Sequence, residues 1–272
     1  MKIKLEKILN PWVLLSLNVL IIIATELSGS FFQETGIIHL IAILFVVLAI
    51  SRIFVHYDVY DRFLKLLIIG GSVALVILSL SHIVEFLGYV VFKTYEDAIF
   101  INVVNFYVIS MLVVTVGAEY FIHALKRNPI TTISVLITGI VAFFFLTLSI
   151  FLKKISVSLE PNEAIVYVYG AIVLVTLFFS INYLSKIKRE VPIMSGFVDY
   201  FIASFILIAL SALQYVFYDV LQKTGMPMLQ IVYISHFLFY GALSFIFLAF
   251  ARLTNLGGVY KEADEYKKLS SF

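Results

Sequence analysis

The sequence predicts an all-α polytopic membrane protein with eight transmembrane helices, arranged as two parallel four-helix bundles. Composition is the first ground: of 272 residues, 62% are hydrophobic and only 13% charged, with a mean hydropathy of +1.07, far from the balance of a soluble domain. Patterning is the second. A helix needs about 20 apolar residues to cross a bilayer, and eight runs meet that ruler: 11–27, 36–55, 63–92, 98–125, 130–152, 163–185, 196–221 and 227–253. The third is charge. With the N-terminus cytoplasmic, Lys2, Lys4 and Lys7, then Arg52, Arg62 and Lys65, Lys126 and Arg127, Lys186, Lys188 and Arg189, and finally Arg252 all fall on one side. The other side carries Glu26, Glu34, Glu96, Asp97, Glu160 and Asp219 among fewer lysines. This is the positive-inside asymmetry, and it predicts a cell-membrane protein with both termini cytoplasmic.

Taken in order, run 11–27 follows a lysine-bearing start and resembles a signal peptide, but Ala24, Thr25 and Glu26 make a poor cleavage site, so it is expected as a retained first span. All five prolines, Pro11, Pro129, Pro161, Pro192 and Pro227, stand at or just before the start of a run. There a missing N–H costs nothing, and the spans are expected to be unbroken. Gly70 and Ala74 form a small-xxx-small pair suited to close helix packing. The chain also repeats weakly. Asn10 and Pro11 open the first run as Asn128 and Pro129 open the fifth, Lys93 and Thr94 match Lys223 and Thr224, and 80–86 matches 208–215 with Glu85 set against Gln214. The expected units are therefore 1–127 and 128–253, followed by a polar, helical tail over 254–272.

The positions with chemistry lie at one height. His82 and Glu85, three apart, share a helix face inside run 63–92, where an ionised group costs about 2.5–3.5 kcal/mol and must be answered from within the bundle. Counting about 1.5 Å per residue from each span end brings Asn105, Gln214, Tyr215 and His236 to the same outer level, with His39 nearby. The expected pocket is His82, Glu85, Asn105, Gln214, Tyr215 and His236. Its plainest reading is interhelical hydrogen bonding. Glu119 and His123, four apart near the inner end of their span, read as an interfacial pair.

Three functions compete for the pocket. In the leading one, His82 and His236 ligate a b-type haem or flank a quinone, Glu85 exchanges protons and Gln214 orients the ligand. The chain would then be a membrane subunit, not catalytic by itself, passing electrons with partner subunits in the bilayer. In the second, the pocket is a receptor or transport site with no cofactor. In the third, His39, His82 and His236 hold zinc with Glu85 and hydrolyse a substrate. The absence of cysteine removes thiolate metal sites, iron–sulfur clusters, disulfides and cysteine nucleophiles. Basic residues confined to short connections exclude a nucleic-acid partner. No mid-span lysine is available for a retinal, and no Gly-rich phosphate loop, His-Glu-x-x-His or Gly-x-Ser-x-Gly occurs. In layout alone, the paired bundles resemble membrane subunits of quinone-linked oxidoreductases.

Overall fold

The computed structural model describes residues 36–54, 57, 60, 62–91, 97–126 and 163–269, with isolated positions between 13 and 28. Within these, every element is helical: α1 (Ile37–Phe54), α2 (Arg62–Phe86), α3 (Asp97–Lys126), α4 (Glu163–Glu190), α5 (Ser195–Val216), α6 (Tyr218–Lys223) and α7 (Met228–Leu269). Five stretches are long and apolar enough to cross a membrane, namely Leu64–Phe86, Val103–His123, Tyr169–Glu190, Pro192–Val216 and Tyr233–Leu253, and α1 adds the shorter Ile37–Ser51. The chain is a multi-pass helical membrane protein. The run at 130–152 lies outside the described residues, and the run at 11–27 is described only at isolated positions.

Local chemistry sets the breaks. Pro192 opens a 3-10 turn, Pro192–Met194, after Val191 at φ −132°, because the residue before a proline is pushed out of the helical region. Pro227 stands just before α7, as expected for a proline at a helix start. The run expected to be continuous over 196–221 is instead two helices. It bends at Phe217 (φ −94°, ψ 17°), whose ring packs on Gly170 of α4 so closely that a Cβ there would lie 3.0 Å away. At the other extreme, α7 runs 42 residues without a break, so the helical part of the tail continues the last span.

The helices close a ring in which the order of packing is α1, α2, α3, α4, α5, α7 and back to α1. Antiparallel α2 and α3 approach through Gly70 and Gly117. Antiparallel α4 and α5 are joined at one end by Lys188 and Asp199, 2.7 Å apart, and antiparallel α5 and α7 by the Ser211 and Ser235 hydroxyls at 2.7 Å. Two neighbours run parallel. On α3 and α4, Thr115 meets Ser180 at 2.7 Å and the Tyr183 hydroxyl donates to Glu119 Oε1 at 3.2 Å. On α1 and α7, Phe45 packs against both Tyr240 and Phe247. The inner faces carry Tyr107, Phe239, Phe247 and Ile68 at 1% exposure or less, while Leu44, Phe178 and Phe237 are more than half exposed, the inside-out surface of a helix bundle in lipid. In consequence, the starts of α1, α3, α4 and α7 and the ends of α2 and α5 share one end of the bundle.

Candidate metal centre

Four elements build the site at that end. His39 is on the first turn of α1, His82 and Glu85 on the last turns of α2, His236 two turns into α7, and Tyr215 at the end of α5. A π-helical turn, Leu87–Val91, follows Glu85 directly, a local unwinding common next to functional sites. The start of α1 is fixed by Gly36, whose φ of +69° favours glycine and where a Cβ would run into Phe86 of α2 and Val90 of the π-helical turn. The Tyr240 hydroxyl donates to the Ile38 carbonyl at 2.7 Å and ties the same turn to α7. His39 is thereby held by both neighbours.

The three imidazoles and the carboxylate meet inside the protein, each at 1% exposure or less, with one donor atom from each within 4.8 Å of all the others. Glu85 Oε2 lies 3.0 Å from His82 Nδ1 and 3.3 Å from His39 Nδ1, and His39 Nδ1 lies 3.3 Å from His236 Nε2. Glu85 Oε1 accepts the Tyr215 hydroxyl at 2.6 Å. Yet Oε2, with two ring nitrogens beside it, completes a hydrogen bond with neither, and both nitrogens of His82 also lack a hydrogen-bond partner. A proton on His39 Nδ1 can point along only one of its two 3.3 Å lines, to the carboxylate or to His236. The cluster thus gathers four polar atoms in a dry interior, where a buried polar atom left unsatisfied is costly.

These four side chains could hold a small cation. Around a tetrahedral zinc ion with bonds of about 2.0–2.2 Å, neighbouring donor atoms stand roughly 3.3 Å apart and imidazole centres roughly 5 Å apart. The three close donor contacts are 3.0–3.3 Å. The ring centres are 4.9 Å (His39 to His236), 5.4 Å (His82 to His236) and 5.9 Å (His39 to His82). The widest donor separation, 4.8 Å at most, would have to close by roughly 1.5 Å for all four to ligate one ion, with Tyr215 as the outer partner that orients the carboxylate.

Of the sequence-predicted residues, His82, Glu85, Tyr215 and His236 come together. Asn105 is buried on α3 beside Tyr169 of α4 and Gln214 is half-buried with Oε1 lacking a hydrogen bond. His39, placed near the pocket's level by the sequence and counted there as a zinc ligand but not among the six pocket residues, is a full member. Gly36 went unassigned; a glycine at the mouth of an apolar run was its one visible signal. The Glu119 and His123 pair is real at 3.7 Å, with His123 partly exposed, but lies towards the other end of α3. Compared with protein-family models, curated proteins and solved structures, the chain matches none.

Proposed function

We propose that this chain is a membrane metal-ion receptor that holds one divalent transition-metal ion, zinc foremost, in a His39, His82, Glu85 and His236 shell within the bilayer. One observation carries the reading: three imidazoles from three helices and a carboxylate, all buried, bring one donor atom each within 4.8 Å of one another. Imidazole nitrogen suits zinc and its neighbours in the first row. Four protein donors leave no open coordination position, which favours retention of the ion over hydrolysis, since catalytic zinc keeps one position for water. Between α2, α5 and α7, towards the other end of the bundle, a small cavity is lined by apolar side chains alone, Leu67, Ile68, Phe197, Phe201 and Phe250 among them. An ion also suits the site better than the redox cofactors expected from sequence. A haem between His82 and His236 needs a slot for its macrocycle, but the rings already touch His39 and Glu85, and Phe239 packs edge-on to His82 at 4.3 Å. A quinone would need the same space.

The eight-span topology belongs to the same proposal. Parallel packing of α3 on α4 requires the chain between them, residues 127–162, to return across the bilayer, and the apolar run at 130–152 is long enough to do so. Lys126, Lys186, Lys188, Arg189 and Arg252 all belong to the end opposite the site, which supports a cytoplasmic location for that end. Two fused units are supported by a recurrent spacing. His39 and Tyr169, and Glu85 and Tyr215, are each 130 positions apart, and Asn105 and His236 are 131 apart. The parallel contact of His236 with His39 is thus matched by that of Asn105 with Tyr169.

Metal analysis of protein purified without chelator tests the function. About one equivalent of zinc per chain, and no Soret band, is expected; a haem spectrum, extractable quinone without metal, or metal-free protein that takes up no added zinc overturns it. Tyr215→Phe removes the hydroxyl that holds Glu85 and is expected to weaken zinc binding about 10–100-fold in a competition titration with a chelating dye. An unchanged affinity would separate Tyr215 from the site.

A further inference from the structure

We infer that Phe239 is the residue that positions His82 in the metal shell, doing by ring packing what a hydrogen bond does for most ligating histidines; the inference rests on the zinc reading above. In that shell His82 offers Nδ1, the nitrogen 3.0 Å from Glu85 Oε2. A histidine that ligates through one nitrogen is ordinarily oriented by a hydrogen bond from the other, and loss of that partner loosens the metal. His82 Nε2 is buried and makes no hydrogen bond. With no polar tether on that side, the plane of the ring must be set by what packs against it.

What packs there is Phe239. Its ring centre lies 4.3 Å from that of His82 with the planes at 63°, an edge-on contact tighter than most aromatic pairs make. Phe239 has no room to turn aside, because it is fully buried and the Tyr107 ring of α3 stands against it at 5.9 Å and 74°. Tyr107 in turn stacks on Tyr215 at 6.4 Å and 26°, the side chain whose hydroxyl holds Glu85. His82 and its carboxylate neighbour are thus braced through one aromatic chain, Phe239, Tyr107 and Tyr215, and α3 supports the site without supplying a ligand. The register on α7 explains how one helix does so much. Residues three and four apart share a helix face, so His236, Phe239 and Tyr240 lie together. The first is a ligand, the second braces His82, and the third donates to the Ile38 carbonyl beside His39. One face of α7 therefore sets all three imidazoles.

The test is the metal affinity of the full chain, stripped with chelator and titrated with zinc against a chelating dye and then with cobalt, whose visible spectrum reports the shape of its shell. Phe239→Leu is expected to weaken zinc binding about tenfold or more and to shift the cobalt spectrum. In a His82→Ala background, measured in excess metal, the same substitution should change affinity by less than about twofold, because a brace with nothing to hold has no effect on binding. Phe201→Leu makes the same cut in a buried ring towards the other end of the bundle. It should lower the melting temperature comparably and leave affinity and spectrum as in the wild type. Tyr107→Leu, which removes the ring supporting Phe239, serves where Phe239→Leu does not fold: weakened binding is expected, and wild-type binding counts against the brace. Unaltered affinity and spectrum in Phe239→Leu, or an equal loss with and without His82, overturns this inference alone. Wild-type protein that takes up neither zinc nor cobalt overturns the metal reading and this inference with it.

Discussion

Replacing His39 with alanine is expected to strip the metal from the purified protein while leaving its helix content unchanged. His39 is the sole donor that α1 brings, and its Nδ1 stands 3.3 Å from both Glu85 Oε2 and His236 Nε2, so its loss opens one corner of the shell and leaves three donors on two helices. Structural zinc sites are worth about 10–16 kcal/mol in all; losing one ligand of four removes roughly a quarter, about 3 kcal/mol, or more than a hundredfold in affinity. Stability should follow occupancy. With free zinc at a hundred times its dissociation constant, binding adds about 2.7 kcal/mol to the folded state, so wild-type protein should melt several degrees lower in chelator than in zinc. His39→Ala should melt alike in both. A variant that keeps a full equivalent of metal, or a wild type indifferent to chelator, would rule out the site.

Gly36→Ala is the second large effect, and it acts at a distance of one helical turn. At φ +69° an alanine suffers left-handed strain of about 1–2 kcal/mol. Its Cβ would also sit 2.5 Å from Val90 Cγ2 and 2.7 Å from a Phe86 ring carbon, an overlap that costs about 1–3 kcal/mol to relieve. The sum, about 2–5 kcal/mol, should appear as a large drop in melting temperature. The His39 amide donates to the Gly36 carbonyl at 3.1 Å, so a displaced Gly36 moves the imidazole, and zinc affinity should fall with stability. Gly70→Ala is the internal contrast: its Cβ would find no neighbour nearer than 3.8 Å, and it should be close to neutral in both measurements. Equal melting of the Gly36 and Gly70 variants would show that α1 is not held as described.

The sequence was most legible where chemistry is expensive. A histidine and a glutamate three apart in hydrocarbon had to face inward, and depth counted from span ends brought His82, Glu85, Tyr215 and His236 to one level, because helical rise converts residue number into height almost without error. Rotation about each axis is not encoded so simply. Gln214 and Tyr215 are equally deep but about 100° apart on α5, and only Tyr215 reaches Glu85. Asn105 shares the height and belongs to the α3 and α4 contact. The bend at Phe217 was invisible for a related reason: no proline or glycine marks it, and it depends on the space that Gly170 leaves on a different helix.

By itself the sequence determined that this chain is helical, lives in a membrane and carries ionisable groups near one end of its spans, since hydrophobic run length and the cost of a charge in lipid are local properties. Only the tertiary structure decided that His39 completes the group, that α1 packs parallel to α7 so that His39 and His236 touch, and that one donor atom from each of the four residues lies within 4.8 Å of the others. Those outcomes depend on how helices turn about their own axes and which neighbours they choose. Both are set by side-chain packing between segments nearly 200 residues apart, such as His39 and His236, which no local pattern records.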